Sequence, residues 1–289
     1  MTQTPSRRRA EGAREFPPAA RALQGPPHGR LPPAWWTALA LFAAGYALAL
    51  LHGRLLAPSL AAFGLLALAG ACVRQRPAAV RIAGHAIFLC AALALALHLL
   101  PGFGNALVID HAILAPGSAP YSMYLNLDKP LIALWLLWAC PWIAPPCSAA
   151  AAGRAILRAA PATVAVCLGC AVAAGLVDWS PKWPPQAWIW MGANLLQVCV
   201  AEEALFRGYV QGGLDRHGST LSRAALPLSA LLFGLAHAGA GWPWMALAAL
   251  AGLGYGLAYR QGGLLAAIAA HFLLNLAHFG LFSYPMLPP

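Results

Sequence analysis

The stretch CVAEEALFRG, from Cys199 to Gly208, places two adjacent carboxylates and a guanidinium at the end of a strongly apolar segment. Only 8 of the 289 residues are acidic, so two of them side by side need a physical reason. A charged side chain near the centre of a bilayer costs roughly 2.5–3.5 kcal/mol, and such residues usually face the bundle interior and mark a site. Glu202, Glu203 and Arg207 are therefore the first candidates for chemistry.

Two later apolar segments carry polar groups at helical spacing. Phe233 and His237 are four residues apart in the first segment, and His271 and Asn275 are four residues apart in the second. Residues at i and i+4 lie on the same face of a helix. A bundle that turns these faces inward would collect two imidazoles and an amide in one pocket with a carboxylate.

The two glutamates point in different directions on a helix. Glu203 and Arg207 are at i and i+4, so they can form an ion pair that lowers the cost of burying both. Glu202 is rotated by about 100° from Glu203 and has no arginine on its own face. The spacing therefore predicts one paired and one unpaired carboxylate.

The elements that position these residues are predicted to be transmembrane helices. Hydrophobic residues make up 61% of the chain and charged residues 9%, against about 25% charged in a soluble domain. Apolar runs of roughly 18–20 residues recur, the length that crosses about 30 Å of hydrocarbon. We therefore predict an all-α, polytopic integral membrane helical bundle with about eight or nine transmembrane helices. The predicted spans are 34–52, 55–73, 82–100, 130–148, 161–178, 186–209, 223–241, 243–259 and 263–282.

The net charge is +10, and the distribution of the basic residues along the chain predicts the membrane topology and argues against nucleic-acid binding. Six of the eighteen basic residues fall within the first 30, and the others are scattered between apolar runs without forming a basic patch. With the N-terminus in the cytoplasm, fifteen basic residues lie inside and only Arg54, Lys129 and Lys182 lie outside. The prediction is a multi-pass protein with a cytoplasmic N-terminus, in the plasma or inner membrane if the source is bacterial.

The chain divides into three parts by composition. Residues 1–33 are rich in Arg and Pro and are predicted to be a disordered cytoplasmic tail. Residues 34–160 hold the N-terminal transmembrane helices and a long outer loop, 101–130, which either caps the outer end or simply connects two helices at the interface. Residues 161–289 form the predicted catalytic transmembrane core.

Three motifs in this core, in this order, resemble those of the CAAX protease and bacteriocin-processing (CPBP) family. They are E-E-x-x-x-R in EEALFRG, F-x-x-x-H in FGLAH and H-x-x-x-N in HFLLN, each on an apolar segment. This family contains intramembrane glutamic endopeptidases. The resemblance covers about residues 186–280, and the first five spans carry no matching motif.

The resemblance implies a catalytic role for each motif residue. Glu202 would activate the attacking water with His237 beside it, while His271 and Asn275 would hold the oxyanion of the tetrahedral intermediate. The supporting residues would be Glu203, Arg207 and Phe233. Donors aimed at developing negative charge are worth several kcal/mol in a dry cavity. No cofactor is expected, and the expected partners are the bilayer and a membrane-embedded or lipid-anchored protein or peptide substrate, CAAX-like or a sorted or secreted peptide.

Two other classes remain open at this stage. Glu202, His237 and His271 are a plausible three-ligand set for a zinc-dependent membrane metalloprotease, although the sequence lacks the H-E-x-x-H spacing of common zinc proteases. The second class is a non-enzymatic membrane transporter or immunity-type protein, in which intramembrane Glu and His serve proton transfer or packing. Against the transporter, the two halves of the sequence show no internal repeat.

Overall fold

The computed structural model describes residues 33–288, apart from the side chains of residues 33–35, 38 and 219. The predicted tail, 1–33, lies outside the described residues except for Pro33. The described part is mostly helical and contains eight α-helices and one β-hairpin. The helices are α1 Pro33–Leu51, α2 Leu60–Val73, α3 Ala78–Ala96, α4 Pro130–Ala139, α5 Ala149–Ala173, α6 Ala187–Asp215, α7 Ser219–Leu235 and α8 Trp242–Leu281. The strands are β1 Ala106–Ala112 and β2 Tyr121–Leu125.

Four of these helices, α3, α5, α6 and α8, are long and apolar enough to cross a membrane. The other four contain shorter apolar segments of 10–17 residues. The protein is therefore a helical integral membrane protein, but the predicted number of eight or nine spans is not confirmed. The orientation of the chain and the type of membrane remain predictions.

Helix α5 differs from its predicted span, 161–178, because it begins at Ala149. The Ser148 side chain accepts a hydrogen bond from the backbone N–H of Ala151 at 3.2 Å, which caps the first turn. The predicted spans 130–148 and 161–178 left residues 149–160, which include Arg154 and Arg158, outside any span. The boundary drawn at 160/161 consequently falls inside one continuous helix.

Part of the predicted outer loop, 101–130, forms an antiparallel hairpin rather than an unstructured connection. Ile109 of β1 and Met123 of β2 are buried in a cluster with Trp190 of α6 and Phe279 of α8. The Trp190 and Phe279 rings stack with their centroids 4.0 Å apart. The hairpin therefore covers the N-terminal end of α6 and the C-terminal end of α8. It is the one β-sheet among the described residues, and the all-α prediction did not include it.

Helix α8 is interrupted at Gly263, whose φ of 72° and ψ of −170° lie outside the helical region. Glycine tolerates positive φ because it has no Cβ. The interruption coincides with the start of the last predicted span, 263–282. Helix α8 packs against α5 and α7, and these three helices form one hydrophobic cluster. A second hydrophobic cluster is built around α2, α3 and α4, and the glutamate-bearing helix α6 lies between the two clusters.

Candidate functional site

Helix α6 carries both glutamates between two segments of unusually wide helical turn. Residues Asn194–Cys199 and Ala204–Gln211 are π-helical, and a single α-helical stretch, Val200–Glu203, separates them. Wide turns of this kind often occur at functional sites because they change which residues share a face. The helix continues to Asp215, beyond the end of the predicted span at residue 209.

Glu203 is the centre of a buried charge network. Arg207 Nη1 donates to Glu203 Oε1 at 3.0 Å, and both side chains are fully buried. His271 Nδ1 lies 2.8 Å from the same oxygen. The predicted i,i+4 pair is therefore present, and the tertiary structure adds a histidine from α8 that spacing along α6 could not reveal.

Aromatic rings enclose the guanidinium of Arg207. Its Cζ lies 4.3 Å from the Phe233 ring centroid and 5.1 Å from that of Tyr255. These cation–π contacts stabilise a cation removed from water. Arg207 Nε and Nη2 have no hydrogen-bond partner among the described residues. Phe233, predicted as a supporting residue, thus forms one wall of the arginine pocket.

Gly252 of α8 leaves room for this guanidinium. A Cβ built at this position would lie 3.0 Å from both Arg207 Nη2 and Ala230 Cα. We expect Gly252→Ala to reduce the free energy of unfolding by about 1–3 kcal/mol, because overpacking would displace an arginine that the rings hold in place. Thermal unfolding in detergent, followed by tryptophan fluorescence, measures this change.

The matched control is Gly169→Ala on α5, where a Cβ meets nothing within 4 Å. This change should leave stability unaltered or slightly increased, since alanine favours the helix. Equal melting temperatures for the two variants would show that the contact between α8 and Arg207 is not tight.

Glu202 forms no hydrogen bond with Glu203, Arg207 or His271. Its side chain is half-buried, and its Oε2 atom is buried without a hydrogen-bond partner among the described residues. The Oε2 atom of Glu203 is also buried without a partner among these residues, so the two glutamates differ in that Glu203 is bound through its Oε1 atom. Glu202 is therefore the unpaired carboxylate that the spacing predicts.

A cavity of about 190 Å³ brings the other predicted residues together. Phe233, His237, His271 and Asn275 all line it, and so does His278. The structure therefore brings three of the four predicted catalytic side chains, His237, His271 and Asn275, around one cavity. Neither glutamate is among its lining residues, but Glu203 accepts a hydrogen bond from the lining residue His271. The remaining lining residues are mostly apolar and come from α5 and α8.

The hydrogen bond of His237 determines which ring nitrogen is free. His237 Nδ1 lies 2.8 Å from the Phe233 carbonyl oxygen. A carbonyl oxygen only accepts hydrogen bonds, so Nδ1 carries the hydrogen and, in the neutral ring, Nε2 is an acceptor. The i,i+4 spacing of this motif therefore has a second purpose, because Phe233 supplies a backbone acceptor as well as a ring.

A second polar cluster positions Asn275. Its Nδ2 donates to Asn194 Oδ1 at 3.2 Å and approaches Cys199 Sγ at 3.9 Å. Cys199 Sγ also donates to Asn194 Oδ1 at 3.4 Å. Sequence reasoning missed Asn194, although a polar amide in the apolar run WIWMGANLLQV was a usable signal.

Tyr255 is a further residue that motif spacing did not identify. Its ring stacks on His271 with centroids 4.6 Å apart and planes 13° apart. It is 1% exposed, so it restricts the rotation of His271. No pattern in the sequence marked this tyrosine, because ring stacking between two turns of a long helix depends on how that helix is broken and packed.

The described residues contain no group of three or more His, Cys, Asp or Glu side chains arranged to hold a metal ion. Glu202, His237 and His271, the predicted ligand set for the zinc alternative, are therefore not gathered as one. The oxygen that faces His271 belongs to Glu203, and it also accepts from Arg207.

Comparison with known proteins identifies the segment that contains these residues. Residues 184–277 match the family model described as type II CAAX prenyl endopeptidase Rce1-like. The match confirms the resemblance to the CPBP family and includes all three motifs. No curated protein and no solved structure matches the chain significantly.

Proposed function

We propose that this chain, whose residues 184–277 carry the signature of a family of membrane endopeptidases, hydrolyses a peptide bond of a membrane-associated substrate by glutamate-activated water. The family match supports a protease, and four long apolar helices support action within a membrane. The observation that carries the glutamic mechanism is the division between the two carboxylates. Glu203 accepts hydrogen bonds from Arg207 and His271 through Oε1, whereas Glu202 makes no hydrogen bond to the described residues; the Oε2 atoms of both glutamates are buried without a partner.

In this mechanism Glu202 removes a proton from water while the water oxygen attacks the scissile carbonyl carbon. The proposal places the acceptor nitrogen of His237 on the same water, which must reach Glu202 from the cavity that His237 lines and Glu202 does not. The tetrahedral intermediate collapses when the C–N bond breaks, and Glu202 returns the proton to the leaving amine. A positioned acid–base group typically contributes 10²–10⁴-fold to such a reaction.

Glu203 and Arg207 prepare His271 for its role. Because a carboxylate oxygen accepts hydrogen bonds, the Nδ1 atom of His271 carries a hydrogen and donates it to Glu203. When the ring is also protonated at Nε2, this second N–H becomes a donor for the oxyanion, and Glu203 stabilises the resulting imidazolium. Arg207 offsets the carboxylate charge, so the four groups Glu202, Glu203, Arg207 and His271 are then formally neutral.

Asn275 supplies the second oxyanion donor in this proposal. Its amide is oriented by Asn194, whose Oδ1 accepts from Nδ2 at 3.2 Å, and a substrate oxyanion would replace the long 3.9 Å contact of Nδ2 with Cys199 Sγ. One donor of this type is worth about 2.7–4 kcal/mol of transition-state stabilisation. No Ser-His-Asp or Cys-His grouping is evident from the sequence, so we favour direct attack by water over an acyl-enzyme.

Asn194 gives a prediction that separates positioning from packing. We expect Asn194→Ala to lower kcat about ten-fold with little change in KM, because an unoriented Asn275 amide weakens only the transition state. The same substitution in an Asn275→Ala background should have almost no further effect, since the two residues act as one unit. Steady-state cleavage of a fluorogenic peptide measures both.

The control for Asn194→Ala is Gln75→Ala, which removes an exposed amide at the end of α2. A full additive loss in the double variant, or a loss confined to KM, would contradict the positioning role of Asn194.

We propose a lipid-anchored or membrane-embedded peptide as the substrate and, from the distribution of basic residues, a cytoplasmic N-terminus. The test uses membranes that contain the full chain and a peptide ending in C-A-A-X, presented with and without a farnesyl group on its cysteine. Mass spectrometry should detect a new carboxyl terminus within the last residues of the farnesylated peptide. If neither peptide is cut faster than in control membranes, this substrate assignment is wrong.

A further inference from the structure

Helix α1 stands apart from the rest of the bundle and leaves a deep cleft beside α6. Among its described side chains, only Phe42 and Ala49 are buried, and the Tyr46 hydroxyl donates to the Leu127 carbonyl. The space between the helices measures about 640 Å³, within the range of about 300–1,000 Å³ that is typical of small-molecule sites. Its apolar walls include Leu41, Phe42, Leu48, Ile189 and Leu196.

Part of the lining of this cleft is polar and basic. His52, Arg54, Asn126 and Gln197 are among the lining residues, and no acidic residue is. Arg54 is exposed, and within residues 33–288 its guanidinium makes no hydrogen bond or ion pair. It is also one of the three basic residues that the predicted topology leaves on the outer side, where positive charge is disfavoured.

Asp128, which follows the lining residue Leu127, is not paired with Arg54. Asp128 is 1% exposed, and its Oδ2 lies 2.6 Å from His98 Nδ1. Both of its oxygens also lie 3.4 Å from Asn105 Nδ2. Asp128 therefore bonds to His98 and Asn105 and forms no ion pair with Arg54, whose guanidinium can bind an external anion.

The cleft requires an occupant with an apolar body. An empty space of this size forfeits the dispersion contacts of its walls, and water is a poor filler because most of the lining offers no hydrogen bonds. In a bilayer the molecules at hand are lipids, and a phospholipid combines an acyl chain with a phosphate that a guanidinium binds well.

We propose that the cleft between α1 and α6 is a binding site for one membrane phospholipid, with an acyl chain between the helices and its phosphate at Arg54. The lipid would join α1 to the face of α6 opposite the Asn194–Asn275 contact. This site is separate from the proposed proteolytic site, since the cleft shares no lining residue with the cavity that His237 and His271 line, and neither Glu202 nor Glu203 lines the cleft.

Two glycines allow the cleft to be filled without disturbing the backbone. Gly45 of α1 and Gly192 of α6 both line it, and a Cβ at either position meets nothing within 4 Å. Gly45→Leu and Gly192→Leu should each abolish lipid retention by occupying the space of the acyl chain. Gly169→Leu on α5 is the matched control, because its Cβ is equally free and lies outside the cleft.

The experiment is native mass spectrometry of the full chain in detergent, titrated with phosphatidylglycerol or with a diacylglycerol that has the same acyl chains. We expect one phosphatidylglycerol per wild-type chain, bound at least ten-fold more tightly than diacylglycerol. Arg54→Gln should reduce phosphatidylglycerol binding about ten-fold and leave diacylglycerol binding unchanged. Arg76→Gln, which removes an exposed charge outside the cleft, should change neither.

Three results would overturn the proposal. Wild-type binding in both glycine variants would place the lipid elsewhere. Equal effects of Arg54→Gln on the two lipids would remove the phosphate contact. Displacement of phosphatidylglycerol by a farnesylated C-A-A-X peptide would make the cleft a substrate groove instead. The melting temperature of each variant shows whether it is folded. If one of the two cleft-filling variants does not fold, the other still tests the site.

Discussion

Glu202→Gln is expected to lower the rate of peptide cleavage by about 10²–10⁴-fold while leaving the protein folded. The amide is nearly the same size as the carboxylate but cannot take a proton from water. Folding should survive because Glu202 lies outside the ion pair of Glu203 and Arg207. Removing a half-buried carboxylate with an unpartnered oxygen relieves a cost and breaks no described contact of that atom.

Two measurements examine this prediction. The first compares protein termini in membranes that contain the wild type with those in membranes that contain the Glu202→Gln variant. One uncleaved precursor should accumulate in the membranes with the variant. The second is cleavage of the farnesylated peptide by purified protein. Asp110→Asn is the matched control, since it removes one exposed acidic charge of the hairpin. A variant that keeps more than half of the wild-type rate would exclude Glu202 as the general base.

Arg207→Met is expected to reduce the free energy of unfolding by about 3–5 kcal/mol, the usual cost of removing one partner of a buried ion pair. The loss is large because Glu203 is fully buried and would keep only His271 as a partner. The methionine fits among the rings of Phe233 and Tyr255, so lost volume contributes little. A thermal or denaturant unfolding series in detergent measures the change.

The double variant Glu203→Gln with Arg207→Met isolates the electrostatic part. Replacing both members of a buried pair with neutral groups is often nearly neutral for stability, so we expect at least half of the loss to be recovered. Cleavage should stay low in the double variant, because His271 then lacks the carboxylate that stabilises its imidazolium. Arg76→Met serves as the exposed control. A double variant as unstable as Arg207→Met alone would show that packing, and not charge, explains the cost.

The candidate site was visible in the sequence because polar groups are expensive in an apolar chain. Glu202, Glu203 and Arg207 stand out against a background of 9% charged residues, and i,i+4 spacing predicts the Glu203–Arg207 pair that the structure contains. The same reasoning found His237, His271 and Asn275, which line one cavity. Local spacing succeeds here because it concerns contacts within one or two turns of a helix.

Helix ends and short spans were harder to predict. Hydropathy treats Arg154 and Arg158 as a break between helices, whereas Ser148 caps a helix that includes both. The hairpin was also missed, since β1 and β2 gain their stability from packing on Trp190 and Phe279 rather than from their own pattern.

By itself, the sequence determined that this is a helical membrane protein with three polar motifs, because composition and helical periodicity act locally along the chain. Only the tertiary structure decided that His271 bonds Glu203 and not Glu202, that Asn194 orients Asn275 and that Tyr255 stacks on His271. The first two contacts join different helices and the third joins the two segments of α8 across its break at Gly263. They therefore depend on helix rotation, on the wide turns of α6 and on the break itself, none of which residue spacing encodes.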